Sequence, residues 1–310
     1  MKKQTIILAI FLSLCCSAWA QKTYKIGKPA GKLYLNLNSA FVEGYDGNEI
    51  VFSGMETSDE EEDNRAKGLQ VISPSGYRDN TGLGINVSQE GSDIHVNIVG
   101  NHGIEKESLT VRVPKEVAIV FSYGNTFFAD SVVIKNIKGE IELSATYNNI
   151  LLENNSGPMN IKTVHGNIDA SFVNDIKGPV SIISVYGHVD VALPATTKAN
   201  VTLGTAYGKL YAADDFNIAI TPKNNNDEDK QDGSRSIAAV TSGSGAITLS
   251  PARVVNVSQP PMPPAAPEAI SATGFVYRSG QQQNVEGTIN GGGIDIILKS
   301  TYKNIYLRTK

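Results

Sequence analysis

Apolar and polar residues alternate along much of this chain in short runs, as in Leu33-Tyr34-Leu35-Asn36-Leu37 and Ile94-His95-Val96-Asn97-Ile98. Alternation of this kind puts every second side chain on one face of an extended strand. Gly, Asn and Asp separate the runs and supply the turns between strands. No stretch carries a sustained helical apolar period. The pattern predicts an all-β chain.

The runs also repeat. A Tyr-Gly or similar pair recurs at Tyr123-Gly124, Tyr147-Asn148, His165-Gly166, Tyr186-Gly187, Tyr207-Gly208 and Ser244-Gly245. Aligning on the second residue of each pair produces four apolar columns. Seven positions before it stand Val117, Ile141, Met159, Val180, Val201 and Ala238; five before it stand Ile119, Leu143, Ile161, Ile182, Leu203 and Val240. Two after it come Thr126, Ile150, Ile168, Val189, Leu210 and Ile247; four after it come Phe128, Leu152, Ala170, Val191, Ala212 and Leu249. Apolar residues fill 23 of these 24 places, where the 41% apolar content of the chain would fill about 10. A C-terminal unit anchored on Lys303 repeats the pattern with Ile296, Leu298, Ile305 and Leu307.

Positions of equal parity on the two sides of a turn point the same way, so each unit presents an apolar face that it cannot bury alone. Stacking units about 4.8 Å apart covers each face with its neighbours and makes a continuous core. A period near 21 residues fits this arrangement better than a propeller blade of about 40 to 50 residues. The expected architecture is a parallel β-solenoid, β-helix-like, with loops extruded from its coils.

The N-terminus has a different character. Lys2 and Lys3 precede an apolar run from Ile6 to Leu14, followed by Ala18-Trp19-Ala20. A positive start, a short apolar stretch and a small-x-small site are the parts of a secretory signal peptide. Cleavage is expected between Ala20 and Gln21. The apolar run is too short for a bilayer span, which needs about 20 residues, and no later segment supplies one. Lipid attachment at Cys15 or Cys16 is the alternative, although neither cysteine follows the small residue that such processing requires. Residues 1–20 hold both cysteines and the single tryptophan. The remainder can therefore form no disulfide, thiol nucleophile or cysteine zinc site. Loss of Lys2 and Lys3 leaves 25 basic residues against 31 acidic ones. That balance, with no basic cluster, argues against nucleic acid and anionic lipid as partners.

The turn-and-strand sequences His165-Gly166-Asn167-Ile168-Asp169 and Tyr186-Gly187-His188-Val189-Asp190 resemble the repeats of a known family. So do the segments Val42 to Ile50 and Leu109 to Pro114. The family is the putative-adhesin β-strand-repeat group of exported bacterial proteins, a domain of unknown function related in style to the head-GIN proteins. The resemblance covers roughly residues 30 to 310. It implies a β-solenoid in the cell envelope and brings no catalytic residues with it.

Three polar or proline-rich segments depart from the pattern. Asp59 to Asp63 is a run of five acids; Pro222 to Ser236 is polar throughout; Pro251 to Pro267 holds six of the 13 prolines. All three read as solvated loops, with cation binding and a polyproline spacer as the functional alternatives. The expected organisation is a signal peptide over 1–20, an N-terminal β region over 21–115 continuous with the solenoid, and a β-repeat solenoid over 116–310. The solenoid carries insertions near 222–236 and 251–268.

Motifs of catalysis are sparse. No G-x-S-x-G elbow occurs, and His95, His102, His165 and His188 form no metal-ligand pattern. Gly291-Gly292-Gly293-Ile294-Asp295 matches part of a calcium nonapeptide without its fourth-position glycine or its tandem recurrence. Asp169 and Asp190 share one column and would be neighbours on an outer face, flanked by Leu151 and Tyr211. Like charges so placed repel unless a cation or a basic neighbour intervenes. Tyr123, Tyr147, Tyr186, Tyr207 and Tyr302 form an aromatic column with His165 in its gap. Their parity favours mutual stacking at a corner, and a carbohydrate platform is the alternative. The candidates for ligand or cation contact are Asp169, Asp190, Tyr186 and Tyr207; no catalytic, cofactor-binding or metal residue is assigned. These features point to a non-enzymatic exported envelope protein, adhesin-like or a structural scaffold, with an unidentified polymer or protein partner. The location is periplasm, outer-membrane surface or outside the cell. The alternatives are a β-helix polysaccharide-acting enzyme and a solenoid that polymerises end to end. N-terminal sequencing of the exported protein is expected to start at Gln21, without incorporation of labelled palmitate; a lipid-modified Cys16 would contradict this.

Overall fold

The computed structural model describes residues 22–54, 65, 69, 72–99, 109–124, 130–173, 175–222 and 283–310. Both residues of the expected cleavage site, both cysteines, the acidic run, the Gly245 unit and the proline-rich segment lie outside the described residues. The expected loop at 222–236 does too, apart from Pro222. The chain divides into two units, residues 1–221 with 280–310, and residues 222–279. All the strands below belong to the first.

The early strands are β1 (Thr23–Gly27), β2 (Lys32–Asn36), β3 (Ala40–Tyr45), β4 (Glu49–Ser53), β5 (Ile85–Glu90), β6 (Asp93–Ile98) and β7 (Leu109–Pro114). Next come β8 (Ala118–Tyr123), β9 (Val132–Lys135), β10 (Ile141–Ala145), β11 (Ile150–Glu153), β12 (Met159–Thr163), β13 (Ile168–Ser171), β14 (Val180–Ser184) and β15 (Val189–Leu193). The last are β16 (Ala199–Thr205), β17 (Leu210–Ala212), β18 (Ile218–Thr221), β19 (Gln283–Ile289), β20 (Ile294–Ser300) and β21 (Ile305–Thr309). Among the described residues there is no helix, and the fold is all-β, as the alternation predicts.

Two large sheets share the strands. One has the order β1-β4-β7-β3-β9-β11-β13-β15-β21-β17, the other β18-β19-β16-β20-β14-β12-β10-β8-β2-β6-β5. From β7 to β18 consecutive strands alternate between the sheets, so each rung there contributes one strand to each, whereas β3–β4, β5–β6 and β18–β20 stay within one sheet. Buried aliphatic side chains from both sheets meet between them in a single core. In one sheet Ile119, Ile141, Met159, Val180, Ile296 and Val201 form a continuous column, every member of it 3% exposed or less.

Both sheets are mixed, which corrects the expectation of a uniformly parallel stack. The centre is parallel and in register, but β1–β4–β7, β5–β6 and β16–β19–β18 pair antiparallel at the ends. A row of unpaired backbone groups at a sheet edge recruits other strands. Folding hairpins onto the terminal rungs moves those edges away from the parallel centre.

Three further details differ from the column alignment. Ile141 and Leu143 pair with Ile119 and Phe121, and Ile150 and Leu152 pair with Val132 and Ile134. The first unit is thus Ile119, Phe121, Val132 and Ile134, rather than Val117, Ile119, Thr126 and Phe128. Its connection runs over residues 124–131, whereas β10 and β11 are joined by 146–149, so Gly124 does not occupy the equivalent corner. Second, β20 and β21 do not extend the stack but insert between β14–β15 and β16–β17. Leu298 therefore lies between Ile182 and Leu203. At the other end β2 and β3 insert between β6–β7 and β8–β9, so strands from residues 21–115 and from 116–310 share both sheets. Third, β17 has β21 as its one sheet neighbour, which leaves Leu210 half-buried and Ala212 exposed.

Burial separates the interior from the edge in a measurable way. Leu298→Ala removes a fully buried side chain between two neighbours and should cost about 2–5 kcal/mol. Leu210→Ala at the edge should cost about 1 kcal/mol or less. Ile182→Asp should abolish folding, because an unpaired charge would sit in the centre of the core. Chemical denaturation of the three variants tests the order, and a normally melting Ile182→Asp protein would contradict the packing.

Candidate functional site

The most regular surface feature lies at the corner where each rung passes from one sheet to the other. Five rungs share a pattern: Ala145 to Ile150, Thr163 to Ile168, Ser184 to Val189, Ser300 to Ile305 and Thr205 to Leu210. The fold brings them together in that spatial order. Backbone bonds run from rung to rung through the corner itself: His165 N donates to Thr146 O, Tyr186 N to Val164 O, Tyr302 N to Val185 O and Tyr207 N to Thr301 O, at 2.7 to 3.0 Å. The aromatic residue of each corner is thereby held in register with the next.

A buried hydroxyl fixes the corner from beneath. Ser184 Oγ accepts from Gly187 N at 2.9 Å and donates to Gly166 O of the adjacent rung at 2.8 Å. Ser300 Oγ accepts from Lys303 N at 3.1 Å and donates to Gly187 O at 2.8 Å. Thr205 and Thr163 make the same pair of bonds with longer distances, 3.0 to 3.3 Å. Each hydroxyl thus closes its own turn and ties it to its neighbour. Glycine follows the aromatic residue where the rungs approach closely: a Cβ at Gly187 would stand 1.9 Å from Gly166 O. Being polar, these hydroxyls fall outside the apolar columns of the repeat, although their shared place three residues before the anchor is visible in the sequence.

On the solvent side the rings form a ladder. Tyr147 and His165 stack with centroids 4.5 Å apart and planes inclined by 13°. His165–Tyr186 and Tyr186–Tyr302 follow at 4.7 Å, inclined by 4° and 7°. Tyr302–Tyr207 closes the row at 5.0 Å and 9°. The tyrosines remain between 40% and 65% exposed, so the column stacks as expected yet faces water rather than the core. Tyr186 and Tyr207 are not adjacent, because Tyr302 stands between them. Tyr123 is absent from the row; it pairs in register with Ala145 and packs against the core.

Stacking determines what the ladder can offer. Sugar rings bind to an open aromatic face, but here each inner ring has both faces covered by its neighbours. The row presents ring edges and phenol oxygens at the stacking interval, with open faces confined to its ends. The Tyr302 phenol has its pKa raised, chiefly by the neighbouring Tyr186, then by burial and Tyr207. The Tyr302 phenol accordingly stays neutral at ordinary pH.

Asp169 and Asp190 are register partners on the outer face of one sheet, as their shared column predicts. The residue beyond Asp190 is Tyr306, with Tyr211 one strand further, and this corrects the expected flanking by Tyr211. A basic neighbour is also present. Arg308 Nε lies 2.8 and 2.9 Å from the two oxygens of Asp190, and His188 Nε2 lies 3.0 Å from Asp169 Oδ1. These contacts offset the repulsion of the paired carboxylates. Among the described residues no group of three or more His, Cys, Asp or Glu is placed to hold a metal ion.

Residues 128–250 match the family Toastrack DUF4097. That stretch is similar to the Toastrack family. The resemblance read from the repeat turns is upheld at the level of an adhesin-like domain family of unknown function. The Toastrack match includes the corners of Tyr147, His165, Tyr186 and Tyr207, whereas Tyr302 enters the ladder from outside it. A solved structure from Clostridium sporogenes, described as a putative cell adhesion protein, aligns with a TM-score of 0.38 and 11% identity over 94% of this chain and 100% of that one. No curated protein matches the chain.

The hydroxyl ladder of the corner makes a direct prediction. Ser184→Ala leaves Gly187 N and Gly166 O without their buried partner and should cost about 1–3 kcal/mol. Calorimetry of Ser184→Ala and Ser184→Thr tests it, because threonine restores the hydroxyl and should recover most of the stability.

Proposed function

We propose that this chain is an exported, non-enzymatic envelope protein of adhesin-like kind. In this reading the stack is a β-solenoid, and its corner displays the contact surface for an extended polymer or protein partner. The observation that carries it is the exposed five-ring ladder, held in register by backbone and buried hydroxyl bonds. A rigid row of equivalent groups suits many weak contacts with a partner of matching repeat, where total affinity grows by multiplicity. An acidic balance of charge, −4 over the whole chain, supports a partner other than nucleic acid.

The absence of catalysis is part of the same proposal. It is supported by the lack of a nucleophile elbow and by the engagement of Asp190 with Arg308 and Asp169 with His188.

The test is a glycan and matrix-protein array probed with the protein lacking residues 1–20, beside the double variant Tyr186→Ala, Tyr302→Ala. Binding to an extended ligand that the variant loses, with its fold intact by circular dichroism, is the expected result. A parallel screen against polysaccharides and esters, with and without calcium, should show no turnover. Turnover that disappears in Asp169→Asn, Asp190→Asn would overturn the proposal in favour of an enzyme.

A further inference from the structure

Tyr302 differs from the other tyrosines of the ladder in having a tyrosine on each face. Its ring is parallel to Tyr186 at 4.7 Å and to Tyr207 at 5.0 Å, and the three are 44%, 44% and 65% exposed. Tyr147 and Tyr186 each have His165 as a neighbour, and an imidazole has no phenolic O–H from which a second phenoxyl could form. Tyr302 also stands in the turn joining β20 and β21, a strand pair inserted out of chain order between two rungs. The cysteines of the chain are Cys15 and Cys16, so beyond residue 20 no disulfide can secure that insertion.

We propose that Tyr302 is an oxidative cross-linking site, which couples to Tyr186 or Tyr207 and fastens the inserted strand pair to an adjacent rung as a dityrosine. The co-reactant is hydrogen peroxide acting through a one-electron oxidant of phenols, such as a haem peroxidase. Each of two phenols gives up one electron and its phenolic proton, forming a pair of phenoxyl radicals. A carbon–carbon bond then forms between one ortho carbon of each ring. The hydrogen on each of those carbons moves to the ring oxygen and restores both phenols. The two electrons and two protons released reduce one peroxide to two waters.

Stacking makes this a proximity reaction. Two radicals that would otherwise meet by diffusion are held in one register, and exposure lets the side chains rotate from face-to-face into bonding contact. Tyr211–Tyr306, at 5.2 Å, is the other stacked tyrosine pair among the described residues. There the Arg308 guanidinium lies 5.1 Å from the Tyr306 centroid. A cation at that distance opposes loss of an electron from the ring, so the ladder should react first.

The experiment treats dilute full-length protein with a haem peroxidase and limiting peroxide. Dityrosine emission should appear in the monomer band. Peptide mapping should find Tyr302 joined to Tyr186 or Tyr207, with the linked pair two hydrogens lighter than its parts. Tyr302→Phe keeps the stacked ring but cannot form a phenoxyl, so it should lose the intramolecular product while melting like the parent. The oxidised parent should unfold at a higher denaturant concentration than the untreated protein. Emission unchanged in Tyr302→Phe, cross-links confined to Tyr211–Tyr306, or cross-links solely between chains would each overturn the proposal.

Discussion

Every regular feature of this molecule follows from one constraint: successive rungs must keep the same register through the corner as well as along the strands. Backbone bonds alone do this in a flat sheet, but at a corner the chain turns and some amides and carbonyls lose their ladder partners. The hydroxyls of Thr163, Ser184, Ser300 and Thr205 supply what is missing, each serving one donor and one acceptor. An unpaired buried backbone group would cost about 1–3 kcal/mol, so the corner conformation is fixed wherever the hydroxyl stands. Once it is fixed, the aromatic residue two positions later has no freedom to leave its row.

Rung membership was legible in the sequence because in-register stacking repeats the same spacing in every turn of chain. Ile141 with Leu143, Ile161 with Met159, and Ile182 with Val180 could be aligned from their distance to the turn. Rung order was not legible. A column says that Leu298 and Leu203 are equivalent but does not say which of them touches Ile182, since both satisfy the same burial and parity. That ambiguity concealed Tyr306 beside Asp190 and Tyr302 beside Tyr186. The misplaced first unit has a different origin: Tyr123-Gly124 reproduces the turn dipeptide before a connection of different length, and the true partners Val132 and Ile134 lie further along.

The ends of the sheets depart from the rule that governs the middle. Interior strands are parallel and need one geometry; terminal strands must also dispose of an edge, which antiparallel hairpins such as β5–β6 do locally. A periodic signal reads the interior well for this reason and the ends poorly. The outer face shows a related contrast. Asp169 and Asp190 were visible as a pair, but Arg308, which makes the pairing tolerable, lies in a strand more than a hundred residues away in sequence.

The placement of β20–β21 has a consequence for how the protein is made. These strands are synthesised after β16 and β17, yet they occupy the position between that rung and the one made before it. A chain emerging from its amino end can stack β8 through β15 as it appears, because each rung meets its predecessor. The rung of β16 and β17 then has no site ready for it. It must wait, with apolar residues such as Val201 and Leu203 unburied, until residues 294–309 arrive and provide the surface between. Assembly is therefore gated by the arrival of β20 and β21, and a protein cut short before β20 would lack more than those two strands.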